Sequence, residues 1–315
     1  MMTCERETFD HLYLNVVKNV NTHPQFMCAP RGSKIKEELV VTLQLNDPRH
    51  RLIKSFARDP SYAFGVGEFL WYWQGKNDLK TMLYYNRRMA SFSDDGEHLN
   101  SAYGLRLMGK KYWIHGDDPV SQWETCKKTL IDDPDSRRAV MLINDQVDQR
   151  AATYVGSKDV PCTLSLQFFI RYGMLYLHAN MRSNDVIWGL PYDLFSFTLL
   201  QECMMLELRE SMSSLELGSY FHTAGSMHVY ERHFLMADRI VDEYVSRSLE
   251  EQHGPMEPIS SLGDLWRLCA HEELLREHAI ESIPVDEYVG SLKWMAQILN
   301  AHRERRDAKQ GAQDA

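Results

Sequence analysis

The 315-residue chain has no uninterrupted apolar run reaching the roughly eighteen residues of a spanning helix, so no transmembrane helix is predicted. Its first twenty residues include Glu5, Glu7 and Asp10 and no continuous apolar centre, so no ordinary secretory signal is expected there. Basic charge is also scarce. The 35 Lys and Arg residues stand against 44 Asp and Glu, a net charge of −9, which argues against a general nucleic-acid or membrane-surface binder because such proteins carry a basic field. The six cysteines (Cys4, Cys28, Cys126, Cys162, Cys203 and Cys269) lie far apart, with no CxxC pair and no Cys/His cluster at zinc spacing. Neither a structural metal nor a disulfide framework is expected, and reduced thiols in a cytoplasm fit best.

What is present is ordinary globular composition, 44% hydrophobic and 25% charged, enough to bury a sizeable core. Apolar spacing of three and four predicts helices over 6–20, 60–74, 78–90, 119–130, 193–210, 261–276 and 287–302. Alternation predicts strands at 37–45 and 137–144, a hairpin from TLSLQFFIR through Tyr172-Gly173 into MLYLHANM, and a strand in 219–233 that passes into a helix. Strands mixed among helices without regular βαβ alternation indicate an α+β fold with a large mixed sheet. No repeat or linker stands out, so a single domain over 1–301 is expected, followed by a polar, flexible tail at 302–315.

Several residues attract chemical interest. The segment RSNDVIWGLPYD, 182–193, ends on an acid just before an apolar helical run, where Asp193 reads as an N-cap accepting from the first-turn amides. Cys162 follows Pro161 at the entrance to a strand; a lone cysteine is ordinarily a small buried hydrophobe. Arg137 and Arg138 stand side by side at a strand's start, where alternation points them apart. His228 and Tyr230 share a strand face suited to gripping sugar hydroxyls. Glu68 sits among Val66, Phe69, Leu70 and Trp71, an apolar setting that raises a carboxyl toward the range of a general acid/base.

Together, PC at 161–162, RSND and GLPYD within 182–193, GSMHVY at 225–230, SRR at 136–138, GEFLWYWQG at 67–75 and AYG at 102–104 resemble the motifs of thymidylate synthase and its pyrimidine hydroxymethylase relatives. The resemblance covers roughly 28–235. It implies the thymidylate synthase fold, a homodimer packed through its sheets, and 5,10-methylenetetrahydrofolate as cofactor. Cys162 becomes the nucleophile that adds to C6 of a pyrimidine. Arg31, Arg182 and Ser183 hold the nucleotide's phosphate, and Arg137 and Arg138 reach in from the other subunit. His228 and Tyr230 take the sugar's 3′-hydroxyl, and Glu68 organises protons near the base. Asp185 meets the pterin, with Gly189, Tyr192 and Trp188 as further cofactor contacts. The arginines are expected to keep the Cys162 thiol ionised.

This chain departs from the synthase pattern in ways that bear on function. Asp193 stands where synthases carry the asparagine that reads uracil. Cytosine reverses that hydrogen-bonding edge, and a carboxyl group that accepts from N4 and donates to N3 suits it. A helix start, however, lowers a carboxyl pKa, so donation requires the proton to be shared as N3 becomes basic in the adduct. The polar ending RERRDAKQGAQDA replaces the short apolar segment that keeps water from the last step, which favours hydration of the exocyclic carbon. The paired tryptophans beside the folate are missing, MASFSDD standing there instead, with Trp188 or Phe92 as substitutes, and Met181 replaces a common glutamine. The sequence therefore predicts a cytidylate 5-hydroxymethyltransferase acting on dCMP or CMP, with no metal, membrane or nucleic-acid partner. The rivals are a true methylase and a non-catalytic nucleotide- or RNA-binding regulator.

Overall fold

Alternating apolar and polar side chains build the centre of the molecule, a hairpin of Thr163–Arg171 and Met174–Met181 whose turn has Tyr172 at φ 53° and Gly173 at φ 74°. Both values are what a tight hairpin turn demands, and glycine meets its share at no steric cost. The structure is a computed structural model, and it describes residues 2–112, 119–246 and 254–311.

The strands in chain order are β1 (Met2–Arg6), β2 (Phe26–Cys28), β3 (Ile35–Leu45), β4 (Lys111–Tyr112), β5 (Val120–Ser121), β6 (Val140–Leu142), β7 (Thr163–Arg171), β8 (Met174–Met181), β9 (Asn184–Asp185) and β10 (Glu216–Tyr230). The α-helices are α1 (Phe9–Thr22), α2 (Tyr62–Trp73), α3 (Leu79–Tyr85), α4 (Gln122–Asp132), α5 (Gln146–Arg150), α6 (Gly189–Leu208), α7 (Phe234–Ser246), α8 (Leu262–Arg276) and α9 (Gly290–Gly311). One mixed sheet runs β1-β3-β10-β8-β7-β6, with β2 added to β3 and β9 to β10. Strand β10 lies antiparallel to β3 and parallel to β8, so α6 makes the crossover between the parallel pair. The expected α+β class with a large mixed sheet is what forms.

Helix α6 is buried on nearly every side, which explains its lack of a polar stripe. Its Glu202 is fully buried and holds Arg51 at 2.7 Å, Arg49 at 3.2 Å and the Ile259 amide at 3.1 Å, fixing two loops to the helix. Side-chain caps start α2, α3 and α4: Ser61 accepts from Phe64, Asp78 from Thr81, and Ser121 forms a capping box with Glu124. The opposite sheet face is half-covered, and Tyr176, His178, Phe221 and Thr223 stand on it as a band of ring and hydroxyl contacts. No helix among the described residues is long and apolar enough to cross a membrane.

Three expectations need correction. The helix predicted from 193 begins at Gly189, because Asp185 accepts from the amides of Ile187 and Trp188 and turns the chain four residues earlier. Strand β6 is limited to Val140–Leu142, leaving Arg137 and Arg138 ahead of it. The polar stretch from 302 is helical through 311: Arg303 donates to the Leu275 carbonyl, Arg306 donates to that of Tyr84, and His302 packs on Tyr84 and Tyr85. Long basic side chains there make tertiary bonds along their length instead of a frayed end.

Candidate active site

Three strand ends meet beside α6. Cys162 immediately precedes β7, Arg182 and Ser183 separate β8 from β9, and His228 and Tyr230 close β10. The backbones are locked together: the Arg182 amide donates to the Cys162 carbonyl at 2.8 Å, and the Ser226 amide donates to the Arg182 carbonyl at 3.2 Å. Gly225 permits this approach, since a Cβ there would lie 2.9 Å from the Arg182 carbonyl oxygen. The Arg182 guanidinium donates to the carbonyls of Pro161 and Val160 at 2.9 and 3.0 Å and to Ser183 Oγ at 3.2 Å. Ser183 Oγ in turn donates to Cys162 Sγ at 3.7 Å.

These groups open on a cavity of about 890 Å³ whose wall also carries Arg31, Glu68, Asp185, Trp188, Tyr192, Asp193, His228 and Tyr230. That volume is within the usual range for a small-molecule site. An adjoining recess of about 230 Å³ brings Glu68, Tyr72, Tyr103, Cys162, Asn184 and Asp193 together. A third space of about 530 Å³, sharing Cys162, Arg31 and Arg182, is bordered by Gln149 and Lys158. Arg31 reaches this region from a short turn in which its own φ is 52°.

Burial dominates the electrostatics. Glu68 is pushed up to about 8 by desolvation, with the charge of Asp193 adding to it and the Tyr72 hydroxyl opposing it. Asp193 is raised to about 7, again by desolvation, although a hydrogen bond from Asn184 pulls the other way. Asp193 lies in the second turn of α6, where its side chain caps nothing; the anticipated lowering by a helix start is absent, and the carboxyl keeps a proton near neutrality. The Cys162 thiol is pushed above its usual value because burial outweighs the opposing Arg182, Ser183 and Arg31. This corrects the expectation that the arginines ionise it. Burial also lowers His228, leaving its imidazole neutral, edge-to-face with Tyr230 at 5.0 Å.

The outer part of the cavity is aromatic and basic. The Trp188 ring has the guanidinium of Arg58 at 5.2 Å and that of Arg88 at 5.0 Å, and its Nε1 donates to His233 Nε2 at 3.3 Å. Tyr192 accepts from the Ser61 amide at 3.0 Å and packs edge-to-face on Phe64 at 4.9 Å. Met89 and Phe92 complete that side. A flat, partly apolar ring system fits between such walls, and Trp188 and Phe92 both line them.

All but two of the expected site residues border this cavity. Arg137 and Arg138 are exposed and outside it. Sequence reasoning missed Asn184, which is buried and donates to Asp193 Oδ2 at 2.6 Å. It also passed over Tyr103 as a wall residue, whose hydroxyl accepts from the Thr163 amide at 3.3 Å. The available signal for Asn184 was an amide at an inward position just beyond an alternating strand.

A model of the thymidylate synthase family matches residues 39–256. The chain is 34% identical over 225 residues to a deoxyuridylate hydroxymethyltransferase of Bacillus phage SP01; the alignment covers 70% of this chain and 56% of that protein. The chain thus spans little more than half the length of the phage relative. A thymidylate synthase of Bacillus atrophaeus is 32% identical over 179 residues, covering 55% of this chain and 72% of its own length. Among solved structures, thermostable thymidylate synthase A from Bacillus subtilis superposes with a TM-score of 0.61 at 21% identity, covering 79% of this chain and 87% of that one. At that identity the likeness concerns the fold.

Proposed function

This chain belongs to the thymidylate synthase family, and from that premise we propose that it is a cytidylate 5-hydroxymethyltransferase, acting on dCMP or CMP. The observation that carries the reading is Asp193, a carboxyl held at about 7 in the same recess as Cys162. A carboxyl near its pKa accepts from the N4 amino group and donates to N3 of cytosine, a pairing that an asparagine amide makes poorly.

In this reading the phosphate lies against Arg31, Arg182 and Ser183, and the sugar's 3′-hydroxyl meets His228 and Tyr230. These anchors orient the ring over Cys162. Cys162 Sγ, once deprotonated, forms a bond to C6; the C5–C6 electron pair moves toward C5 and N3, and Asp193 supplies a proton at N3. The cofactor is 5,10-methylenetetrahydrofolate, whose bound form supplies the one-carbon unit that becomes attached at C5. Trp188, Phe92 and Tyr192 border the space suited to its pterin, with Asp185 and Gly189 beside them. Asp185 has one carboxylate oxygen occupied by the Ile187 and Trp188 amides, so the other is the one offered to a ligand. Glu68, held at about 8, keeps a proton at neutral pH and exchanges it with water near the base. Once the C5 proton has been lost to solvent and tetrahydrofolate has departed from the exocyclic carbon, water adds to that carbon and the Cys162–C6 bond breaks, which yields the hydroxymethyl product.

Support for water in the last step comes from the phage relative, which is a hydroxymethyltransferase. The same name supports a second reading, in which the base is uracil. The proposal includes one catalytic unit in a cytoplasm and a homodimer packed through the half-covered sheet face, with Arg137 and Arg138 crossing to the partner's phosphate.

Incubation with dUMP, dCMP and CMP in turn, with methylenetetrahydrofolate and product masses read afterwards, tests base, sugar and product at once. A hydroxymethyl gain on a cytosine nucleotide is expected. The same gain on dUMP alone selects the second reading, and a methyl gain with oxidised folate defeats hydroxymethylation.

A further inference from the structure

Asn184 is 2% exposed, yet its side chain hydrogen-bonds to no backbone group among the described residues. Its Nδ2 donates to Asp193 Oδ2 at 2.6 Å and to Met181 Sδ at 3.2 Å, while its buried Oδ1 has no hydrogen-bond partner among the described residues. A buried amide that leaves its own carbonyl unpaired carries a desolvation cost, and what it gains in return is a bond to the carboxyl of Asp193. The neighbouring backbone leaves room for this pair: a Cβ on Gly189 would lie 3.0 Å from Asn184 Nδ2 and 3.2 Å from Asp193 Oδ2. Asp193 borders the cavity, and its Oδ1 has no hydrogen-bond partner among the described residues.

The two oxygens of Asp193 are therefore unlike. Oδ2 accepts from an N–H and cannot carry a proton toward that donor without a clash of hydrogens. Oδ1 is left as the oxygen that holds the proton, and Oδ2 keeps a second lone pair that can accept from a ligand.

We propose that Asn184 is a positioning residue for base recognition: by donating to one lone pair of Asp193 Oδ2 it orients the carboxyl so that Oδ1 carries the proton toward N3 and the second lone pair of Oδ2 faces the N4 amino group, and so contributes to the choice of base. The inference rests on the functional reading above in taking Asp193 as the base-reading group. Asn184 itself touches no substrate in this scheme.

The pH behaviour of the pair has a defined direction. Asp193 is faced by Glu68 and Tyr72 of α2, by Tyr103 and Cys162, by Asp185 of β9 and by Tyr220 of β10. Asn184 is the hydrogen-bond donor among its neighbours, and it favours the ionised carboxyl. Its removal moves deprotonation of Asp193 to higher pH.

The test is steady-state kinetics of the full chain on cytosine and uracil nucleotides from pH 6 to 9, for wild type, Asn184→Ala, Asp193→Asn and the double variant. Asn184→Ala is expected to narrow the ratio of kcat/KM between preferred and rejected base by roughly tenfold or more, and to shift the carboxyl break in the profile upward. In the Asp193→Asn background, where an amide oxygen can still accept from Asn184 but no carboxyl proton remains, the same change no longer moves the pH profile. Should Asn184→Ala fail to fold, Asn184→Ser, too short to reach Oδ2, is expected to behave alike. A ratio and pH break unchanged in either folded variant, or equal losses on both bases, would overturn the inference and leave Asn184 as packing. A wild type that prefers uracil sinks the cytosine reading while the same ratios still report the coupling. If no nucleotide turns over, calorimetric binding of dCMP and dUMP supplies the ratio.

Discussion

The carboxyl groups of Glu68 on α2 and Asp193 on α6 share one desolvated recess, and the charge of Asp193 helps to push Glu68 up to about 8 while Asp193 itself stands at about 7. Two acids in one low-dielectric recess hold protons that water would have removed. The consequence extends to stability. Below their ordinary values of 4.5 and 3.8 both groups are protonated in folded and unfolded chains alike, and they contribute no pH dependence. As pH rises further the unfolded chain releases these protons and the folded one retains them, so stability falls until the folded values of about 8 and about 7 are passed.

The ligand-free protein is therefore expected to melt at progressively lower temperature between pH 5 and 8, with Glu68→Gln and Asp193→Asn each flattening the slope. Thermal melts of the three proteins across that range check it. A slope identical in all three would remove the recess as its source.

The thiol of Cys162 behaves differently. Burial holds it above the usual thiol range despite Arg182 and Arg31, so the free protein contains little thiolate at neutral pH. Cys28 is exposed and four other cysteines are buried, so alkylation in a Cys28→Ser background reports mainly on Cys162. Its rate with iodoacetamide is expected to keep rising past pH 9, and Arg182→Leu to displace the curve further upward. A plateau below pH 8 would mean a preformed thiolate. Separately, Cys162→Ser is expected to reduce tritium release from C5-labelled nucleotide by roughly three orders of magnitude or more while binding survives.

Asp193→Asn exchanges an acceptor and proton donor for a fixed amide whose hydrogen-bonding face suits uracil. The kcat/KM ratio of cytosine to uracil nucleotide is expected to fall by roughly a hundredfold or more, since a buried edge left unpaired discriminates strongly. Competition assays with dCMP and dUMP measure it. Full retention of the cytosine preference would leave Asp193 as a buried acid without a role in base choice.

How far the sequence could reveal this site depends on the range of the interactions involved. The hairpin at Tyr172-Gly173 is legible because turn chemistry and alternation act over a few residues, and Glu68 is legible because its apolar neighbours lie on its own helix. The start of α6 is not. An acid before an apolar run looks like a cap, yet Asp185 turns the chain first, through amides at 187 and 188. The raised thiol of Cys162 depends on burial that only the assembled strands create. The helical course of 302–311 depends on carbonyls of Leu275 and Tyr84, contributed from distant parts of the chain. Asn184 escaped notice because its partner, nine residues on, becomes a neighbour only when β9 and α6 meet.

Arg137 and Arg138 offer the sharpest test of the proposed dimer. Both are exposed and lie away from the Cys162 cavity of their own chain, so a role at the phosphate requires a second subunit. In an isologous dimer each site would combine Cys162 of one chain with the arginines of the other. A Cys162→Ser subunit then retains good arginines, and an Arg137→Ala/Arg138→Ala subunit retains a good thiol. Neither homodimer has a complete site, but a mixed dimer has one. Unfolding and refolding the two inactive variants together in equal amounts is expected to restore about a quarter of wild-type activity, since about half of the dimers are mixed and each carries one intact site of two. Sedimentation of the mixture confirms that dimers have formed. Activity no greater than the sum of the separate variants, with dimers present, would place the arginines outside the reaction.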